Sequence, residues 1–245
     1  MDGGLESRWT TVGGLRIHAR VGGLGQRGGP VVLVPGIGVS GRYFAPLAGA
    51  LVPHVPTLAI DLPGAGRSGR PPRALSILEL ADSLAAWLDA VGIERADFVG
   101  HSMGTQVLVD LAARMPDRVA RLVLVSLTVD PAARTGREQL ERLFEDVRNE
   151  RLSLLAIIAL DYVRFGPIRF VETGRYALAD RPEEKLPLVR APTVVVRGDR
   201  DPLVPQRWAE EAAGLLPDGR LVVLHGEPHG CHYSAADRIA DLVLD

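Results

Sequence analysis

The chain has 245 residues, enough for one large domain or a domain with an insertion, and a chain of that size buries roughly 70–75% of the surface it exposes when unfolded. Its 47% hydrophobic and 24% charged residues are ordinary for a globular protein, and a net charge of −2 with 5% aromatics leaves no basic or base-stacking surface for nucleic acid. Cys231 is the single cysteine, which excludes an intramolecular disulfide and a thiolate metal cluster. With no apolar run approaching a membrane span and no secretory pattern at the N-terminus, a cytoplasmic location without a membrane partner is expected.

In chain order, residues 9–12 and 15–21 flank Gly13-Gly14 and predict a β-hairpin. The glycine-rich stretch 22–30 lacks the Gly-Lys-Ser/Thr ending of a phosphate loop and reads as a linker. Short apolar runs follow at Val31–Val34, Thr57–Ile60, 97–99, 122–125, 193–196 and 221–224. They are continuous rather than alternating, as in strands covered on both faces of a parallel sheet. Helical patterns near 43–52, 76–91, 104–115, 206–216 and 234–244 lie between them, so the chain predicts an α/β fold: a mostly parallel central sheet flanked by helices. Residues 129–188 carry no strand pattern. There, 137–149 is charged and amphipathic, and Leu152–Phe165 is distinctly apolar. The expected organisation is a core of residues 1–128 and 189–245, interrupted by a helical cap at 129–188. Ligands of open α/β sheets bind beyond the carboxyl ends of the strands, where such a cap would exclude water.

The most informative motif is Gly100-His101-Ser102-Met103-Gly104, a G-x-S-x-G pentapeptide between the apolar Phe98-Val99 and a helical pattern. A strand that passes at once into a helix must turn tightly, which strains the serine backbone and lifts its hydroxyl above the sheet; the glycines are needed where a side chain would collide. A serine hydroxyl needs a base to take its proton, and the base needs an acid to fix its tautomer. In sheet hydrolases of this kind the chain order is serine, acid, histidine. Asp199 and Asp201, in the loop after the strand at 193–196, are both acid candidates, and either could instead cap the turn. His225, His229 and His232 follow the last strand. His229 stands mid-loop between Pro228 and Gly230, free to reach across, whereas His225 belongs to the strand end and His232 to the start of the final helix. His101 is too close to Ser102 in the chain to point back at its hydroxyl. An oxyanion hole needs two backbone N–H groups: one from Met103, after the nucleophile, and one from the loop Pro35-Gly36-Ile37-Gly38, assigned to Ile37.

On these segments the chain resembles the α/β-hydrolase fold superfamily of serine hydrolases with a helical cap and no cofactor. The resemblance covers nearly the whole length and includes Asp61-Leu62-Pro63-Gly64-Ala65-Gly66-Arg67-Ser68, similar to the family's structural D-x-P-G-x-G-x-S loop. It implies Ser102 as nucleophile, His229 as general base, Asp201 rather than Asp199 as orienting acid, and Ile37 and Met103 as oxyanion donors. One departure is Pro35, where the family usually has histidine before the glycine. No metal-ligand pattern is present, and neither metal nor cofactor is implied.

The expected activity is hydrolysis of a carboxylic ester or thioester with an apolar acyl portion, through an acyl-enzyme on Ser102. Gly36, Ile157, Ile158 and Phe165 are the expected substrate contacts. The same residues would serve a C–C bond hydrolase of the meta-cleavage-product type, and a catalytically silent ligand-binding module on this fold is the reading from another class.

Overall fold

The computed structural model describes residues 4–245; residues 1–3, the start of the N-terminal segment and of the expected core, lie outside the described residues. Eight strands form one sheet: β1 (Glu6–Val12), β2 (Leu15–Gly22), β3 (Val31–Val34), β4 (Thr57–Ile60), β5 (Ala96–His101), β6 (Val119–Val125), β7 (Thr193–Gly198) and β8 (Gly219–Leu224). Their spatial order is β1-β2-β4-β3-β5-β6-β7-β8. The β1–β2 hairpin turns through Gly13 and Gly14, both at the positive φ that a two-residue turn of this twist demands (56° and 82°). β2 pairs antiparallel with β4, and every pairing from β4 to β8 is parallel.

The strands are continuous apolar runs because both faces of the sheet are covered. All four residues of β3 are buried. Val32 and Val34 point into one cluster with Phe98, Leu108 and Trp208, while Val31 and Leu33 point into the other with Phe44, Leu47 and Ile239. The first cluster is closed by α2 (Ile77–Ala90), α3 (Met103–Arg114) and α8 (Gln206–Leu215); the second by α1 (Ala45–Leu51), α9 (Cys231–Ser234) and α10 (Ala236–Leu244). Alternate residues thus meet opposite layers, as the pleat requires.

Between β6 and β7 lie α4 (Gly136–Val147), α5 (Leu152–Phe165), α6 (Pro167–Ala179) and α7 (Pro182–Lys185). Thr135 and Glu138 start α4 with a reciprocal capping box. α5 ends at Gly166 (φ 88°), and Pro167 opens α6 at its first turn, where a missing N–H costs nothing. α6 has no counterpart among the sequence expectations: its only buried residues are Thr173 and Ala177, too few for a clear apolar stripe. Much of the apolar character of this segment faces outward, with Phe144, Leu152, Val163 and Ile168 at 67%, 84%, 80% and 77% exposed. Among the described residues no helix is long and apolar enough to cross a membrane.

Candidate active site

β5 passes into α3 through Ser102 alone, which sits at φ 53°, ψ −126°, a region that side-chain-bearing residues rarely occupy. The surroundings hold it there. Its N–H donates to Val125 O (3.0 Å) and its carbonyl accepts from Thr105 N (2.9 Å) and the Thr105 hydroxyl. A Cβ on Gly100 would stand 2.8 Å from Leu108 Cδ1 and 3.0 Å from the Gly104 carbonyl; one on Gly104 would strike Val34 O and lie 2.7 Å from Pro35 O. Because the Gly104 obstacles are main-chain oxygens of β3 and its exit, no rotamer change relieves them. Gly104→Ala is therefore expected to destabilise the fold by about 3 kcal/mol, read as a fall in the urea midpoint.

Asp201 follows β7 and is buried. Its Oδ1 accepts from the N–H groups of Leu203 (2.8 Å) and Val204 (3.1 Å), and its Oδ2 lies 2.9 Å from His229 Nδ1. Since a carboxylate can only accept, Nδ1 carries a proton. Burial pushes the Asp201 carboxyl up, but His229 and the surrounding donors outweigh it and hold the pKa below the ordinary value. Asp199 turns elsewhere: it accepts from Gly226 N–H (2.7 Å) and meets His225 Nδ1 (3.2 Å) at the surface. Of the two acids, only Asp201 is brought to His229.

His232 is fully buried with neither ring nitrogen hydrogen-bonded among the described residues, its ring centroid 4.3 Å from that of Tyr43 and 4.0 Å from that of His101. Burial drives its pKa well below the usual imidazole value, so it packs as a neutral ring.

Tyr43 and Ser126 were not singled out by sequence reasoning, which weighed His101 only against Ser102. Gly36 N–H donates to the Tyr43 hydroxyl (2.8 Å), which stands 2.9 Å from His101 Nδ1, while His101 Nε2 stands 3.0 Å from His229 O. A carbonyl needs a donor, so His101 is protonated on Nε2 and takes the Tyr43 proton on Nδ1. Burial and the neighbouring His229 lower the His101 pKa to about 3, which keeps that tautomer neutral. Ser126 Oγ gives His229 O a second donor (2.9 Å). One buried chain thus joins the Gly36 loop, the turn at Ser102 and the histidine loop. Only the whole fold brings Tyr43 there, 58 residues from its partner.

The Gly36 loop abuts the serine: a Cβ on Gly36 would lie 3.3 Å from Ser102 Cβ. Neither the Ile37 nor the Met103 N–H is taken by an acceptor among the described residues. Beside them a narrow, partly open cleft is lined by Gly36, Gly38, Leu62, Met103, Phe165 and Arg169, among others. Phe165 is set there because Asp161, buried on α5, accepts both the N–H (2.8 Å) and the hydroxyl (2.6 Å) of Ser40. Gly36 and Phe165 thus reach the cleft. Ile157 and Ile158 do not line it; they lie on the face of α5 that packs against the cluster of Phe44 and Leu154. Asp61, from the D-x-P-G-x-G-x-S segment, is a buried hub: it accepts from Gly41 N–H (2.7 Å), Arg67 N–H (2.8 Å) and His18 (2.8 Å), which explains a structural aspartate at that position.

A family model described as alpha/beta hydrolase fold matches residues 29–157, and a second, described as TAP-like protein, matches residues 175–244. The chain belongs to the α/β-hydrolase fold family. Among its relatives, a protein of Pseudomonas savastanoi pv. phaseolicola named as a carbamate hydrolase, RutD, is 28% identical over 222 residues, 81% of this chain and 86% of that protein. The acetyltransferase component of an acetoin-cleaving system of Pseudomonas putida is also 28% identical, over 99% of this chain and 66% of its own length. Among solved structures, an enol-lactonase from Burkholderia xenovorans LB400 has a TM-score of 0.79 at 24% identity, covering 97% of this chain and 98% of its own. This α/β hydrolase thus has relatives named as a hydrolase and as an acetyltransferase component.

Proposed function

We propose that this α/β hydrolase is a serine hydrolase that cleaves a carboxylic ester or thioester with an apolar acyl portion. The observation that carries the reading is the Asp201–His229 pair, bonded at 2.9 Å at the end of the sheet where Ser102 is held in its strained turn. In the neutral imidazole, with Nδ1 protonated toward Asp201, the lone pair of His229 is on Nε2, the nitrogen that takes the Ser102 proton as Oγ attacks the carbonyl carbon. The Ile37 and Met103 N–H groups receive the negative oxygen of the tetrahedral intermediate, Met103 with the added field of the α3 N-terminus. His229 then gives the proton to the leaving oxygen or sulfur. A water, deprotonated by the same imidazole, releases the acid and restores Ser102.

The cleft beside Met103 supports an apolar acyl portion, since Leu62, Leu75, Leu80 and Phe165 supply apolar wall. The helices α4 to α7 act as a cap that keeps bulk water from the acyl-enzyme. A fluorophosphonate is expected to label the protein once, on Ser102, and p-nitrophenyl esters to be turned over faster than carbamates or vinylogous diketones of equal size. Peptide mass mapping and a rate panel check both. Absence of labelling, or labelling at another residue, refutes the serine mechanism.

A further inference from the structure

We propose that Asp146 and Glu150, carried by α4 and the turn after it, are positioning residues for His229: they fasten the backbone of the histidine loop, and their charge sets the pH at which the imidazole releases its proton. The inference rests on the reading of His229 as general base.

The geometry is specific. His229 N–H donates to Asp146 Oδ1 at 3.1 Å, and the next amide, Gly230 N–H, donates to Glu150 Oε1. Two consecutive main-chain donors are thus met by two carboxyl groups roughly one helical turn apart. A Cβ at residue 230 would lie 2.5 Å from Leu154 Cδ2 and 2.6 and 2.7 Å from the two Glu150 oxygens, so a side chain there would push the Glu150 carboxyl off the loop. α4 is docked through this contact rather than through an apolar stripe. Leu140, Phe144 and Val147 are left 50%, 67% and 43% exposed, and the one buried residue of the helix is Asp146.

A neutral acceptor would brace the loop equally well, so the charge calls for a separate role. The groups facing His229 come from four directions: Asp201 from the loop after β7, His101 from the end of β5, His232 from α9, and Asp146 with Glu150 from the α4 segment. Both histidines are neutral, so the charged neighbours are all anionic. Burial works against the imidazolium, but Asp201, then Asp146 and Glu150, outweigh it and raise the His229 pKa to about 9. The carboxyl pair is itself reluctant to ionise fully: burial, with the charge of Asp201, raises Asp146, and burial with the charge of Asp146 brings Glu150 up to about 7. Near neutrality the pair is partly protonated. Glu150 gains its charge between neutrality and the pH at which His229 releases its proton, so its pull on the imidazole is larger there.

The sign follows. A general base acts in its neutral form, so kcat/KM of the wild type rises with pH along a limb set by His229. Asp146→Asn and Glu150→Gln keep the acceptor oxygens and remove the charges, so the limb moves to lower pH, by about one unit in the double variant.

The experiment is a histidine-labelled NMR titration of the full chain, with the His229 signal identified by its loss in His229→Gln, run beside pH–rate profiles for the wild type, both single variants and the double. A parallel acid shift of the His229 titration and of the kinetic limb is the expected result, with Asp146→Glu, which retains the charge, leaving both in place. A His229 titration unmoved in folded variants overturns the inference. A titration that moves while the kinetic limb stays fixed keeps the charge assignment and removes His229 as the base. Glu150→Gln, at a part-exposed position beyond the helix end, carries the test should Asp146→Asn fail to fold.

Discussion

Replacing Ser102 by alanine is expected to lower kcat for a p-nitrophenyl ester by about 10⁶-fold while leaving KM close to the wild-type value. In the proposed mechanism the hydroxyl is the only part of the residue that enters the chemistry. The strained φ of 53° is imposed by Val125 O, the Thr105 contacts and the crowded glycines, all of which alanine leaves in place. The Asp201–His229 pair and the oxyanion amides also survive, so the variant binds substrate and keeps the slow water reaction that a preorganised oxyanion hole supports. Steady-state rates, with fluorophosphonate labelling as a check against contaminating wild type, give the number. Turnover within tenfold of wild type would place the nucleophile elsewhere and end the serine mechanism.

The parts of this fold that are legible in sequence are those enforced by local collisions and by two-sided burial. Val31–Val34 reads as a strand because every one of its side chains meets an apolar layer. The serine turn is legible because Gly104 cannot carry a Cβ against the main chain of residues 34 and 35. The two acids in one loop are not separable by spacing. Asp199 and Asp201 differ in whether the side chain turns to the surface turn at Gly226 or inward to His229, a choice made by backbone donors from Leu203 and Val204. Composition also misleads within α5. Ile157, Ile158 and Phe165 all read as apolar, yet only Phe165 reaches the cleft, because the Asp161–Ser40 bonds orient the helix about its axis. Tyr43, Asp146 and Glu150 lie in no motif, and the pentapeptide that contains His101 gives no sign of its contact with the histidine loop. Each meets its partner across 58 to 128 residues, in contacts that exist only after the sheet, the helices between β6 and β7 and the final loop have assembled.

Asp201→Asn isolates the chemistry of the acid from its place in the fold. Asp201 Oδ1 is the acceptor for two buried amides, Leu203 N–H and Val204 N–H. An asparagine must keep its carbonyl oxygen there, since turning its NH₂ toward two donors would leave all of them unpaired at a cost of about 1–3 kcal/mol for each buried group. Its NH₂ then faces His229 Nδ1, in the place now held by Asp201 Oδ2 at 2.9 Å. A donor at that point demands a lone pair on Nδ1, which sends the imidazole proton to Nε2. The nitrogen that should take the Ser102 proton is then already occupied. A loss of about 10⁴-fold in kcat is expected in a protein that remains folded, seen in a cooperative thermal transition that is lower than wild type at neutral pH, where Asp201 stabilises the imidazolium, and approaches it above pH 9. Nitrogen chemical shifts of the labelled ring report the tautomer directly and should show the proton on Nε2. Asp201→Ala serves as the contrast: it strands the Leu203 and Val204 amides, so above that pH too it loses stability as well as rate. If Asp201→Asn kept wild-type turnover, the carboxylate would be no more than a turn brace, and the proton relay from Ser102 would need another acid.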